Sequence, residues 1–265
     1  MISHTLRVPL YLSMVLVLLP SPWALASTRV DRTVPAGPSV YVSVELVSGS
    51  LDVKVWDRNA IRVVGTLGDD VRGLEIDEGG GEVGISLDLP RGRGSRQVAA
   101  DLELYVPRAA SLEIETVSAD VAVAGTTGDL EAETVSGNIR VTSPPSSMEI
   151  SAVSGDVIIE GEALLSRLDV EVVSGEVVVT APPAPAARID IEAVSGNVRL
   201  ALPVSVSARF DLETFSGSIR NDFGPQGAGA AGVLPAKELE FTMGEGSARV
   251  SVEVFSGRIH LARRE

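Results

Sequence analysis

Twelve acidic residues fall at two fixed positions before a Ser that recurs from Ser118 to Ser256. Glu113, Glu131, Glu149, Asp169, Asp190 and Asp211 stand five residues before it, and Glu115, Glu133, Glu171, Glu192, Glu213 and Glu253 stand three before it. Carboxylates in such columns could hold a hard cation such as Ca²⁺, which takes oxygen ligands, or meet a cationic partner. The plainer reading is a solvated strand face that keeps a β-rich surface soluble and blocks lateral sheet association. The Gly-Gly-x-Gly-x-Asp calcium repeat is absent and outward strand carboxylates rarely wrap an ion, so no metal site is assigned. Glu131, Glu133, Glu149, Asp169, Glu171, Asp190, Glu192, Asp211 and Glu213 form the candidate interaction ladder.

Other residue types offer less chemistry. The recurring serines lack a Gly-x-Ser-x-Gly elbow and a repeated base, so they read as bend residues and not as nucleophiles. Arg140, Arg199 and Arg220 stand four after the Ser, where they would make a partial basic column. His260 is outward by parity and reads as a lone surface or capping residue. Gly79-Gly80-Gly81 lacks the Lys-Ser/Thr of a phosphate loop and reads as a turn. No catalytic residue and no cofactor site is assigned.

Composition narrows the classes further. The 265 residues contain no Cys and two His. Disulfides, thiolate metal sites and Cys nucleophiles are therefore excluded, as is a multi-histidine zinc site. A net charge of −14 argues against a nucleic-acid partner, since phosphate neutralisation needs a basic surface. With 45% hydrophobic residues the chain can bury a substantial core, whereas only 4% are aromatic.

The N-terminus has a single Arg7, an apolar run from Val8 to Leu19, helix-breaking Pro20 and Pro22, and Ala24-Leu25-Ala26. This is the layout of a secretory signal with cleavage after Ala26. The apolar run is shorter than a bilayer span, and no later run is long enough to cross one. The expected address is periplasmic, or secreted and cell-surface, with no transmembrane anchor after cleavage.

The elements that must position these residues come from a repeat. The triplet Val/Phe-Ser-Gly/Ala places its Ser at Ser48, Ser118, Ser136, Ser154, Ser174, Ser195, Ser216 and Ser256, with spacings from Ser118 of 18, 18, 20, 21, 21 and 40 residues. Upstream segments such as LEAETV and downstream segments such as NIRV alternate apolar and polar with period two, as half-buried strands do. The inward residues lie six, four and two before the Ser and three and five after it. Ser48-Gly49, Ser136-Gly137, Ser154-Gly155, Ser174-Gly175, Ser195-Gly196, Ser216-Gly217 and Ser256-Gly257 are the bends, with Gly for a sharp turn and Ser to bond the local backbone. Ala119 replaces Gly in one copy. The connections Pro144-Pro145 and Pro182-Pro183-Ala184-Pro185 are expected to stay outside the sheet. Residues 221–236 read as a flexible loop, and Met243 to Val250 as a degenerate copy.

Two all-β architectures satisfy this pattern. One is a parallel β-solenoid of ~18–21-residue coils, a rod roughly 30–40 Å long at ~4.8 Å per coil. The other is an antiparallel meander in which each triplet is a hairpin turn. Near-equal repeat lengths and matched residue types favour the solenoid. Residues 1–26 are the leader, 27–110 an N-terminal β capping region, and 111–265 the repeat array, with 27–265 forming one continuous domain. Within the cap, Leu74–Asp77 and Val83–Leu89 flank Asp77-Glu78-Gly79-Gly80-Gly81 as a hairpin, and Arg91 to Arg96 is a basic loop.

Repeated T-V-S-G-[DN]-[IV] units, a strand ending Val106-Pro107 and the segment V-x-V-W-D ending at Asp57 resemble the bacterial "putative adhesin" β-strand-repeat domain family. The resemblance covers Leu46–Asp57, Leu102–Pro107 and Thr116 to Leu261. It implies a solenoid-like, exported or envelope protein and supplies no catalytic motif. The expected function is a non-enzymatic, adhesin-like binding or structural module of the cell envelope, with an envelope protein or glycan as partner. The alternatives are a polysaccharide lyase or hydrolase on a β-helix, and an accessory domain in envelope-stress signalling.

Overall fold

The computed structural model describes residues 28–90, 98–224 and 238–264. The leader, the basic loop from Arg91 to Arg96 and most of the 221–236 loop lie outside the described residues. Among the described residues there is no helix, and sixteen strands join in one hydrogen-bonded system. In chain order these are β1 (Thr28–Pro35), β2 (Tyr41–Trp56), β3 (Ala60–Leu67), β4 (Gly73–Gly79), β5 (Glu82–Asp88), β6 (Ala100–Pro107), β7 (Ser111–Ala124) and β8 (Leu130–Ser136). There follow β9 (Ile139–Thr142), β10 (Ser147–Ser154), β11 (Val157–Glu160), β12 (Leu165–Thr180), β13 (Pro183–Pro203), β14 (Ala208–Asn221), β15 (Glu238–Met243) and β16 (Ala248–Arg264).

Neighbouring repeats pair parallel and in register, which an antiparallel meander cannot do. Leu112 pairs with Leu130, Ile150 with Val170 and Val198 with Ile259. Ser154 lies between Ser136 and Ser174, so equivalent residues stand above one another. The period-two pattern decides what fills the interior. Leu130, Ala132 and Thr134 are buried before the bend at Ser136, and Ile139 and Val141 after it, while Glu131, Glu133 and Arg140 face out. The buried threonines sit two before the Ser, where Thr116 donates to Thr134 at 2.9 Å. At the same position Thr214 Oγ1 is buried with no hydrogen-bond partner.

The bends are close-packed. Gly155 has φ of 145°, and a Cβ there would land on the carbonyl oxygen of Gly137, far inside van der Waals contact. The next residue explains the [DN] of the repeat. The Asp156 backbone N–H donates to Asn138 Oδ1 at 3.0 Å, and Asn138 in turn donates from its backbone and side chain to Asp120 Oδ1. Each side chain thus satisfies a corner amide of the neighbouring layer. Ala119 fits because its methyl points inward and is buried.

The N-terminal region covers the first layer. The upstream half of β2 pairs parallel with β5, which carries β4 antiparallel, and its downstream half pairs with β6, followed by β3 and β1. Gly80 and Gly81, both at positive φ, turn the β4–β5 hairpin.

The structure departs from the plain repeat pattern in three places. First, the last repeat does not stack last. β16 lies between β13 and β14, parallel to both, because β15 turns back antiparallel on the outer edge of β14 and returns the chain inward. Second, Met243 to Val250 is no degenerate copy. It is the end of β15, a turn whose Gly246 N–H bonds Met243 O at 3.2 Å, and the start of β16. Third, part of the proline run enters the sheet. Pro183 pairs with Leu165, and the register then jumps to Arg167–Arg188. Proline lacks a donor but keeps its carbonyl, and Leu165 N–H bonds Pro182 O at 2.9 Å. Ala186 at φ 64° absorbs the irregularity.

Candidate functional site: the ladder face

The upstream arms present three outward lanes running across the layers. The lane five before the Ser runs Glu113, Glu131, Glu149, Asp169, Asp190, Ser251, Asp211 in spatial order. Asp190 and Asp211 are therefore not neighbours, as sequential stacking would make them, because Ser251 of β16 stands between them. The lane three before runs Glu115, Glu133, Ser151, Glu171, Glu192, Glu253, Glu213, with Ser151 as its one gap.

The two acidic lanes differ in their company. In the first, Glu113 accepts from Tyr41 at 2.7 Å, Asp190 is held by Arg188 at 2.6 Å and Asp169 lies 4.0 Å from Arg167. The Tyr41 phenol is pushed up to about 12, chiefly by that hydrogen bond to Glu113. In the second lane, no glutamate forms an ion pair among the described residues. Crowding is felt at Glu131, whose carboxyl is raised by desolvation and then by Glu149, Glu113, Glu133 and Glu115. Among the described residues no group of three His, Asp or Glu is placed to hold a metal ion.

The third lane was missed in the sequence. The residue just before the Ser is Val117, Val135, Val153, Val173, Val194, Phe255 and Phe215 in spatial order, and all seven are exposed, at 47–64%. Phe215 and Phe255 stack with ring centroids 4.9 Å apart, a contact made possible by β16 lying beside β14. With Leu87 and Leu89 near its first layers, this lane and the adjoining glutamates line a concavity of about 940 Å³. The signal was available, since this position shares the outward parity of the two acidic positions yet is apolar in every copy. Its place inside the bend triplet made it read as turn chemistry. Beyond it the column Ser118, Ser136, Ser154, Ser174, Ser195, Ser256 and Ser216 is exposed as well.

On the downstream arms the basic column is broken. Arg140 pairs with Ile158 across the sheet and forms an ion pair with Glu160 at 3.1 Å. Arg199 and Arg220 are separated by His260. His260 is not a lone surface residue. Its Nδ1 lies 3.4 Å from Arg199 and its Nε2 3.0 Å from Asp222, which also accepts from Arg220 at 3.2 Å. A guanidinium can only donate, so Nδ1 accepts and Nε2 carries the proton given to Asp222. The hydrogen bond from His260, with that from Arg220, holds the Asp222 carboxyl below its ordinary range.

The family model described as Toastrack DUF4097 matches residues 27–262, nearly the whole span in which the repeats were found. No curated protein matches the chain. Among solved structures, the chain is similar to a putative cell adhesion protein from Clostridium sporogenes at 10% identity, with 90% of this chain and 100% of that one covered and a TM-score of 0.40. It is similar to a putative adhesin from Bacteroides fragilis at 12% identity, with 89% and 98% covered and a TM-score of 0.47. A putative lipid binding protein from Parabacteroides distasonis gives 10% identity, 89% and 97% coverage and a TM-score of 0.37.

Proposed function

We propose, from the premise that the chain belongs to the Toastrack DUF4097 family, that it is an exported, non-enzymatic β-solenoid of ~18–21-residue coils that binds an elongated partner of the cell envelope along its ladder face. The observation that carries this reading is the exposed lane from Val117 to Phe215, in register over seven layers. A monomeric protein rarely leaves a contiguous apolar strip of this extent open to water without a partner for it. Parallel pairing of equivalent residues supports the solenoid. The leader-like residues 1–26 support export, and among the described residues no helix is long and apolar enough to cross a membrane. The non-catalytic reading is supported by the lanes themselves: their acids are repeated, outward and open, where an acid catalyst needs one carboxyl singled out by its surroundings.

Two measurements test it. Mass spectrometry of the chain recovered from an extracytoplasmic fraction should find Ala26 removed, and a retained leader in the cytoplasmic fraction overturns export. A photo-reactive side chain at Val153 should cross-link an envelope component, whereas one at Val178 on the downstream arm should not. Equal yields from both positions overturn the ladder face as the binding surface.

A further inference from the structure

We infer that the occupant of the apolar lane is a cationic amphipathic α-helix of about five turns, its apolar stripe on Val117–Phe215 and its Lys or Arg side chains on the Glu115–Glu213 column. This rests on the reading of the lane as a partner-binding surface and names the chemistry of that partner.

Charge decides first. None of the glutamates beside the lane has a cation among the described residues, whereas in the outer acidic lane Asp169 and Asp190 meet arginines and Glu113 accepts from Tyr41. The far side of the lane is bordered by the hydroxyls of the Ser column and then by Asp120, Asn138, Asp156, Glu176 and Asn197, with Arg258 and Ser218 only in the last two layers. A ligand covering the valines therefore brings its edges over acceptors and carboxylates, and must supply donors and positive charge there. A second copy of this chain would bring acidic columns onto acidic columns, on a molecule whose net charge is already −14. An anionic lipid surface is disfavoured by the same repulsion.

Length and period decide next. Six steps of ~4.8 Å separate the seven rungs, a span of ~29 Å. An α-helix rising 1.5 Å per residue covers that in ~19 residues, and its turns recur every 5.4 Å, close to one per rung. A strand laid along the lane would repeat its same-face side chains every ~6.8 Å, out of step with both the valines and the glutamates. An i, i+3, i+4, i+7 stripe flanked by basic residues matches the sequence of apolar and acidic lanes.

The test uses three fluorescent 19-residue peptides and the purified chain. One places Leu at i, i+3, i+4 and i+7 with Lys elsewhere, one scrambles the same composition, and one replaces Lys by Glu. By anisotropy the patterned Lys peptide should bind at least tenfold more tightly than either control and become helical by circular dichroism. Combining Val135→Ser, Val153→Ser and Val173→Ser should weaken it tenfold or more. Combining Glu133→Gln, Glu171→Gln and Glu192→Gln should weaken it and remove most of its salt dependence, with thermal melting showing that both variants fold. Equal binding of the scrambled peptide, equal binding of the Glu peptide, or insensitivity to the lane variants overturns the inference. So does a dimer of the chain alone, or flotation with phosphatidylglycerol vesicles, that the lane variants abolish. If Val153 cross-links an envelope component while the Lys peptide fails to bind, the ladder face stands and the helix falls. If Val153 and Val178 cross-link alike, the ladder face falls too.

Discussion

The upstream and downstream arms of each repeat bury equivalent interiors and treat their outer surfaces differently. Ile150 and Ile159 are both fully buried, one in each arm of the same layer. Outside, the downstream arm completes its own interactions: Arg140 with Glu160, His260 and Arg220 with Asp222, Asn138 between Asp120 and Asp156. The upstream arm leaves a glutamate column without ion pairs beside exposed valines. Stability explains the first arrangement. The second sets like charges side by side with no counter-ion, and is intelligible as a surface kept for something else; in the adjoining lane the Glu131 carboxyl is raised, by desolvation first and then by its acidic neighbours.

That contrast can be broken or sharpened by substitution. The largest effect belongs to neither outer surface. Gly155→Ala drives a methyl into the Gly137 carbonyl at a positive-φ corner, and should cost about 3 kcal/mol or more in urea unfolding. Ile150→Ala and Ile159→Ala should each cost about 3 kcal/mol, and a large difference between them would break the equivalence of the two interiors. Asn138→Ala removes the side-chain bonds to Asp120 and from the Asp156 N–H, keeps the backbone bond to Asp120, and should cost about 1 kcal/mol, read as a lowered urea midpoint. Val153→Ser, on a half-exposed side chain, should change stability by less than about 0.5 kcal/mol, which separates lane from core.

The smallest effect is electrostatic and has a defined sign. Glu131 binds its proton more readily in the folded chain than in the unfolded one, so stability should rise as pH falls from neutral through the upper carboxylate range. Asp31, Glu103 and Asp222 are shifted the other way, by Arg62, by Tyr105 and Lys54, and by His260 with Arg220. Their contribution is lost as pH falls further, so stability should pass through a maximum in mild acid. Glu131→Gln should raise stability at pH 7 by about 0.3 kcal/mol and flatten the rise on acidification, both read from urea midpoints across pH.

How much of this was legible depends on which physics set each feature. The inward positions around Ser136 were readable because pleat alternation writes burial directly into the residue pattern. The bends were readable because carbonyls of adjacent layers approach too closely for a Cβ at Gly155. Layer order was not readable, since the arms around Ser216 and Ser256 share one parity and fit either slot. The antiparallel return through β15 decides between them, and that is a property of a connection. The broken Arg column follows from the same cause, because β16 carries His260 into the gap between Arg199 and Arg220. The valine lane was legible in principle, being apolar at an outward parity.

The placement of β16 also has a consequence in time. A chain made N-terminus first delivers β14 before β16, so the eighth layer in space emerges ahead of the seventh on which it rests. Growth of the stack, one layer on the last up to β13, cannot continue by simple addition from there. Either β14 waits with only β15 beside it or it first docks on β13 and must be displaced when β16 arrives. The edge of β13 is the place where a stalled chain would offer an open template to another molecule.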